Sequence, residues 1–129
     1  MPAGPAARCT LGRSARLKQG RDFLRLKQSG RRMVNGCLIA NWQELPVGAR
    51  ARVGVVVSRK VGNAVRRSRV RRLLRESFRL HQADLAQPLD LVLVARPSIA
   101  GKSFVDVERD YLNTLRRAGL LKASGASAP

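Results

Sequence analysis

Arg67, Arg71, Arg75 and Arg79 recur every four residues, with Arg66 just ahead of them and Arg69 and Arg72 set between. A guanidinium is planar, forked and always charged, so a row of them is suited to gripping phosphate rather than to making or breaking bonds. In the segment 59–79, RKVGNAVRRSRVRRLLRESFR, nine of twenty-one positions are Lys or Arg and one is acidic. Like charges at i,i+4 cost an isolated helix about 0.2–0.5 kcal/mol per pair, so this stripe works against its own helix unless a polyanion neutralises it. Just ahead lies Gly62-Asn63, where a helix start would aim free backbone N–H groups and a positive dipole end beside Arg59, Lys60, Arg66 and Arg67. An anion would be favoured there, although a plain strand-to-helix turn uses the same residues.

Groups for covalent or metal chemistry are scarce. Asp22, Glu44, Glu76, Asp84 and Asp90 are scattered and isolated, unlike the clustered carboxylates that hold Mg²⁺ in metal nucleases. Asp106, Glu108 and Asp110 are close in sequence, but 108 points away from the other two on a helix, so they read as a solvated surface. His81 is the sole histidine and reads as a partly buried helix residue, not a general base. Cys9 and Cys37 lack partners at metal-ligand spacing; Cys37 reads as a small core residue. No phosphate-cradling glycine pattern is present. Of the five aromatics, Phe78, Phe104 and Tyr111 share helical spacing with aliphatics and look structural, whereas Phe23 lies in a basic region and is suited equally to stacking a base or packing a core.

The elements that must position these groups follow from periodicity. At 100° per residue, Val70, Leu73, Leu74, Ser77 and Leu80 fall on one side of a helix, with Arg71, Arg72, Arg75 and Arg79 on the other. Asn63 is its expected N-cap, and the helix runs to about Asp84. Arg21–Gln28 reads as a short helix ended by Ser29-Gly30, and Cys37–Trp42 as a strand followed by a turn around Pro46. Arg52–Arg59, rich in valine, reads as a central strand, and Asp90–Arg96 as a strand buried on both faces. Ser103–Ala118 is a second long helix closed by Gly119. The order α-β-β-α-β-α, with room for a further short strand, implies an α+β two-layer sandwich with helices packed on a central sheet. Residues 1–15 and 122–129 read as loosely held tails around one domain, 16–121.

The net charge of +18 on 129 residues points to nucleic acid or an anionic membrane surface. Residues 1–83 carry twenty basic and three acidic side chains, the rest six and five, so the polyanion meets the first two-thirds of the chain. No apolar run is long enough to span a membrane or to form a signal-peptide core, which leads us to expect a cytoplasmic protein.

KVGNAVRRSRVRRLLRESFR, Lys60 to Arg79, resembles the signature of the bacterial ribonuclease P protein subunit, with its Gly-Asn-Ala-Val turn and basic core. LKQGRDF at 17–23, VGVVVSRK at 53–60 and DLVLVARP at 90–97 resemble the family's first helix start, central strand and later strand, extending the resemblance over about residues 15–121. It implies that 16–121 is a single RNA-binding α/β domain with an uncommon left-handed β-α-β crossover. It also implies a ribonucleoprotein endonuclease that removes 5′ leaders from precursor tRNA, in which a large RNA subunit and its Mg²⁺ perform the hydrolysis and this chain supplies no catalytic group or metal ligand. Matched residue by residue, Lys60, Asn63, Arg66, Arg67, Ser68, Arg69, Arg71, Arg72 and Arg75 are the implied RNA-binding positions, Ser68 standing where the family usually has Asn. Phe23 matches an aromatic of the leader cleft, and Lys27 replaces a second one, shifting that contact toward phosphate. A ribosomal or general structural RNA-binding protein shares the charge and size without this signature.

Overall fold

The computed structural model describes residues 20–122. The expected tails, 1–15 and 122–129, lie outside the described residues except for Lys122, whose N–H donates to the Asp84 carbonyl at 2.8 Å. Helix α1 (Gly20–Ser29) is followed by strands β1 (Arg31–Asn35), β2 (Leu38–Glu44) and β3 (Arg52–Val56). Helix α2 (Ala64–His81), strand β4 (Leu89–Ala95) and helix α3 (Phe104–Arg117) complete the domain. The strands form one sheet in the order β1-β2-β4-β3. β2 is antiparallel to both β1 and β4, whereas β3 and β4 run parallel, so α2 is the crossover that joins them.

β4 lies inside the sheet, and all its residues but Val94 are buried. Alternation divides its side chains between two environments. Leu89, Leu91, Leu93 and Ala95 join the main core with Val70, Leu74 and Phe78 of α2 and Val107, Tyr111 and Leu115 of α3. Val92 faces the other way and packs on Leu26 of α1, with Val56 and Val94 around it. The α+β sandwich therefore has α2 and α3 on one sheet face and the short α1 across part of the other.

Local chemistry marks the helix ends. Asn63 caps α2 through its side-chain oxygen, which accepts from the Arg66 N–H at 2.9 Å. Ser103 and Asp106 form a reciprocal capping box at the start of α3. At its end Gly119, with φ +75°, lets the Leu120 N–H reach the Leu115 carbonyl at 2.9 Å and its own N–H reach that of Arg116 at 3.1 Å.

Strand β1 fills the room left in the expected order. It pairs with β2 across the two-residue loop Gly36-Cys37, where Gly36 takes φ +57°. A glycine at positive φ in the first of the two loop positions is what such a tight hairpin requires. On α2 the expected apolar face is shifted: Phe78 is fully buried, Leu73 only half-buried, and Leu80 is 41% exposed. A helical wheel shows the width of a stripe; neighbouring elements decide which flank of it is covered.

Candidate nucleic-acid interface

The strand-to-helix turn after β3 runs through one 3-10 turn, Arg59–Val61, with Val61 buried and Arg59 and Lys60 exposed. Gly62 and Asn63 then redirect the chain into α2. The cap occupies one of the N–H groups expected to greet an anion, that of Arg66; the Arg67 N–H bonds the Asn63 carbonyl at 2.9 Å. The first two N–H groups of the helix, those of Ala64 and Val65, have no acceptor within the helix and are the donors that an anion at this turn would meet.

The arginines of α2 are not equivalent. Arg66, Ser68, Arg69 and Arg72 are exposed, whereas Arg67, Arg71 and Arg75 are half-buried along the border with the core. Arg67 goes furthest inward: its Nε is buried and without a hydrogen-bond partner. The Arg69 Nη2 donates to the Lys102 carbonyl at 3.0 Å, which holds its guanidinium against the loop before α3. Glu76 is the one acidic residue of α2, and Arg79 one turn on grips it, holding its carboxyl below the usual range. Among the described residues, Arg66, Arg71 and Arg72 face no carboxylate partner. The structure thus brings the predicted basic residues together along one helix and the turn before it, with Arg66, Arg71 and Arg72 apart from any carboxylate of the described residues.

The second predicted region lies on the opposite sheet face. Lys27 is exposed in the last turn of α1, next to the fully buried Leu26. Phe23 belongs to α1 by position, but its side chain lies outside what is described. Beyond α1 the sheet is incompletely covered. By the strand register Val34, Ile39 and Asn41 share this face with Val92 and Val94; Val34 is 44% exposed, and Ile39 and Asn41 half-exposed. A shallow apolar strip with a cationic helix edge suits an extended single strand, whose bases lie on the strip and whose phosphates meet the edge.

The carboxylates that looked scattered or merely solvated have local tasks. Asp90, expected to be isolated, is completely buried and clamped: Arg52 donates to it twice, at 2.9 and 2.8 Å, and Arg25 once, at 2.8 Å. Burial pushes its pKa up, but the hydrogen bonds and charges of Arg52 and Arg25 outweigh this and hold it below the usual carboxylate value. Asp110 is not a free surface group, since its Oδ2 accepts the Cys37 N–H at 3.0 Å and fixes the β1–β2 loop to α3. Burial and this same carboxylate raise the Cys37 thiol to about 12. Glu108 meets His81 Nε2 at 2.7 Å and Asp84 meets Nδ1 at 3.2 Å, tying α2 to α3. A sequence signal for the Asp90 clamp existed: a carboxylate opening a strand buried on both faces needs a cationic partner, and Arg52 opens the neighbouring strand.

Comparison with known proteins bears on the family and the fold. The family model described as Ribonuclease P matches residues 11–119. The ribonuclease P protein component of Brevibacillus brevis is 36% identical over 110 residues, covering 85% of this chain and 87% of its own. Among solved structures, the RNase P protein of Staphylococcus aureus superposes with a TM-score of 0.76 at 25% identity, covering 84% of this chain and 98% of its own. The RNase P protein of Thermotoga maritima gives 0.70 at 31% identity, covering 79% and 96%. A cationic helix behind a Gly-Asn turn, the same sheet and helices, and a match along nearly the whole domain make this chain a member of the bacterial ribonuclease P protein family.

Proposed function

We propose that this chain binds the large catalytic RNA of ribonuclease P through α2 and the Gly62-Asn63 turn, and binds the 5′ leader of precursor tRNA along α1 and the open sheet face. It thereby assists Mg²⁺-dependent endonucleolytic removal of the leader, which yields the mature tRNA 5′ end, and it works in the cytoplasm. The observation that carries the reading is the cationic outer face of α2, where Arg66, Ser68, Arg69 and Arg72 are exposed with Arg71 and Arg75 at its border. Lys60, Asn63 and Arg67 extend this contact around the helix start. Phe23 and Lys27 guide the leader, Lys27 through phosphate. The hydrolytic Mg²⁺ belongs to the RNA. Supporting this division, Asp84, Asp90, Asp106, Glu76, Glu108 and Asp110 each have a partner within the fold.

Reconstitution with the cognate RNA tests the reading. Adding the protein should accelerate precursor cleavage at low Mg²⁺; an unchanged rate would sink it. Arg66→Ala combined with Arg72→Ala should weaken assembly and flatten its salt dependence by about 0.7–0.9 in log–log slope for each phosphate that the variant no longer neutralises. Both side chains are exposed, so stability should change by less than about 0.5 kcal/mol per site. Recovery of ribosomal RNA with the protein from its own cells would point instead to a general RNA-binding role.

A further inference from the structure

The Asp90 clamp lies at the junction between α1 and the open sheet face. Gln43, Asp90 and Arg52 form one row across β2, β4 and β3, being direct register partners. Arg25 reaches down from α1 onto that row: its Nη2 donates to Asp90 at 2.8 Å and its Nη1 to Gln43. The next residue, Leu26, is buried against Val92, and the one after, Lys27, is exposed. At the end of the helix Gly30 approaches β2 so closely that a Cβ there would lie 2.6 Å from the Leu26 carbonyl oxygen and 2.6 Å from that of Trp42.

A ten-residue helix has little stability of its own, so its place on the sheet depends on these attachments. An apolar contact tolerates sliding; a fully buried carboxylate gripped by two guanidinium groups does not, because displacement would strand a desolvated charge. One carboxylate between two arginines also leaves net positive charge at this wall, and each arginine side chain remains 37% exposed. We propose that Arg25 and Asp90 are positioning residues, which fix α1 over the sheet and so set the width of the single-strand groove and its selectivity for precursors with long leaders. This rests on the leader reading given above.

The test uses reconstituted holoenzyme and two precursors, one with a long 5′ leader and one with a single-nucleotide leader. Arg25→Met, which cuts α1 from the clamp and leaves the Arg52–Asp90 pair, should weaken binding of the long-leader precursor about tenfold, equivalent to 1.4 kcal/mol. Binding of the short-leader precursor should hold, and Arg25→Lys should recover part of the loss. In the protein without RNA, amide exchange at Leu26–Gln28 should quicken in Arg25→Met while α2 amides keep their protection. Equal weakening of both precursors, or of neither, overturns the proposal, as does unchanged exchange in α1. Wild-type holoenzyme that binds both precursors alike overturns the leader reading and the selectivity with it. That failure is distinguishable, because the exchange measurement needs no RNA.

Discussion

Burial and pairing pull on Asp90 in opposite directions, and the geometry settles which wins. Three guanidinium hydrogen bonds outweigh desolvation, so its folded-state pKa lies below the ordinary 3.8. A depressed carboxylate contributes stability that is complete above its unfolded pKa and is lost as pH falls through the folded one. Unfolding free energy measured against pH should therefore drop on the acid side of 3.8, and Asp90→Asn should shrink that limb, leaving the part that Glu76 and Asp106 contribute. At neutral pH the same variant should cost about 2–3 kcal/mol, less than for a wholly buried pair because both arginines recover some hydration. An acid limb unchanged in Asp90→Asn would show that the clamp contributes no stability. Residue identities such as Arg52 and Asp90 were legible in sequence, but their pairing was not, since they are 38 positions apart and meet only through the β3–β4 register. The same holds for Asp110 and Cys37, joined across 73 positions.

At the scale of elements, local signals were sufficient wherever an element carried its own start and stop. Asn63, Ser103 and Gly119 mark α2 and α3 in sequence, and the caps form where those residues stand. β1 had weaker periodicity, RRMVN, and its pairing follows from the Gly36 turn more than from its own pattern. α1 is the element most dependent on others. Its C-terminal end leaves no room for a methyl group at Gly30, because the atoms in the way are backbone carbonyls that cannot rotate aside. Gly30→Ala should therefore lift α1 and destabilise the domain by about 1–3 kcal/mol, measured by denaturant unfolding. If its stability matched the wild type, the close contact between α1 and β2 would not constrain the helix.

The molecule as a whole divides its labour between two sheet faces. One face carries the core beneath α2 and α3, and its outer surface presents the arginines; the other carries α1 and an incompletely covered apolar strip. With a formal charge of +18, binding to a large RNA should fall by orders of magnitude between about 50 and 200 mM salt, as counterion release requires of a protein making many phosphate contacts. An affinity that barely moves in a salt titration would contradict phosphate as the main contact. Among the described residues no helix is long and apolar enough to cross a membrane. Composition pointed to a polyanionic partner, and the spacing of Lys60 to Arg79 determined the helix that carries the arginines, because both depend only on residue type and a fixed helical repeat. The tertiary structure alone decided which arginines stay outside, which carboxylates are consumed in holding the fold, and where α1 stands above the sheet. Those outcomes depend on contacts between residues distant in sequence, and burial changes the energy of a charge in ways no local pattern records.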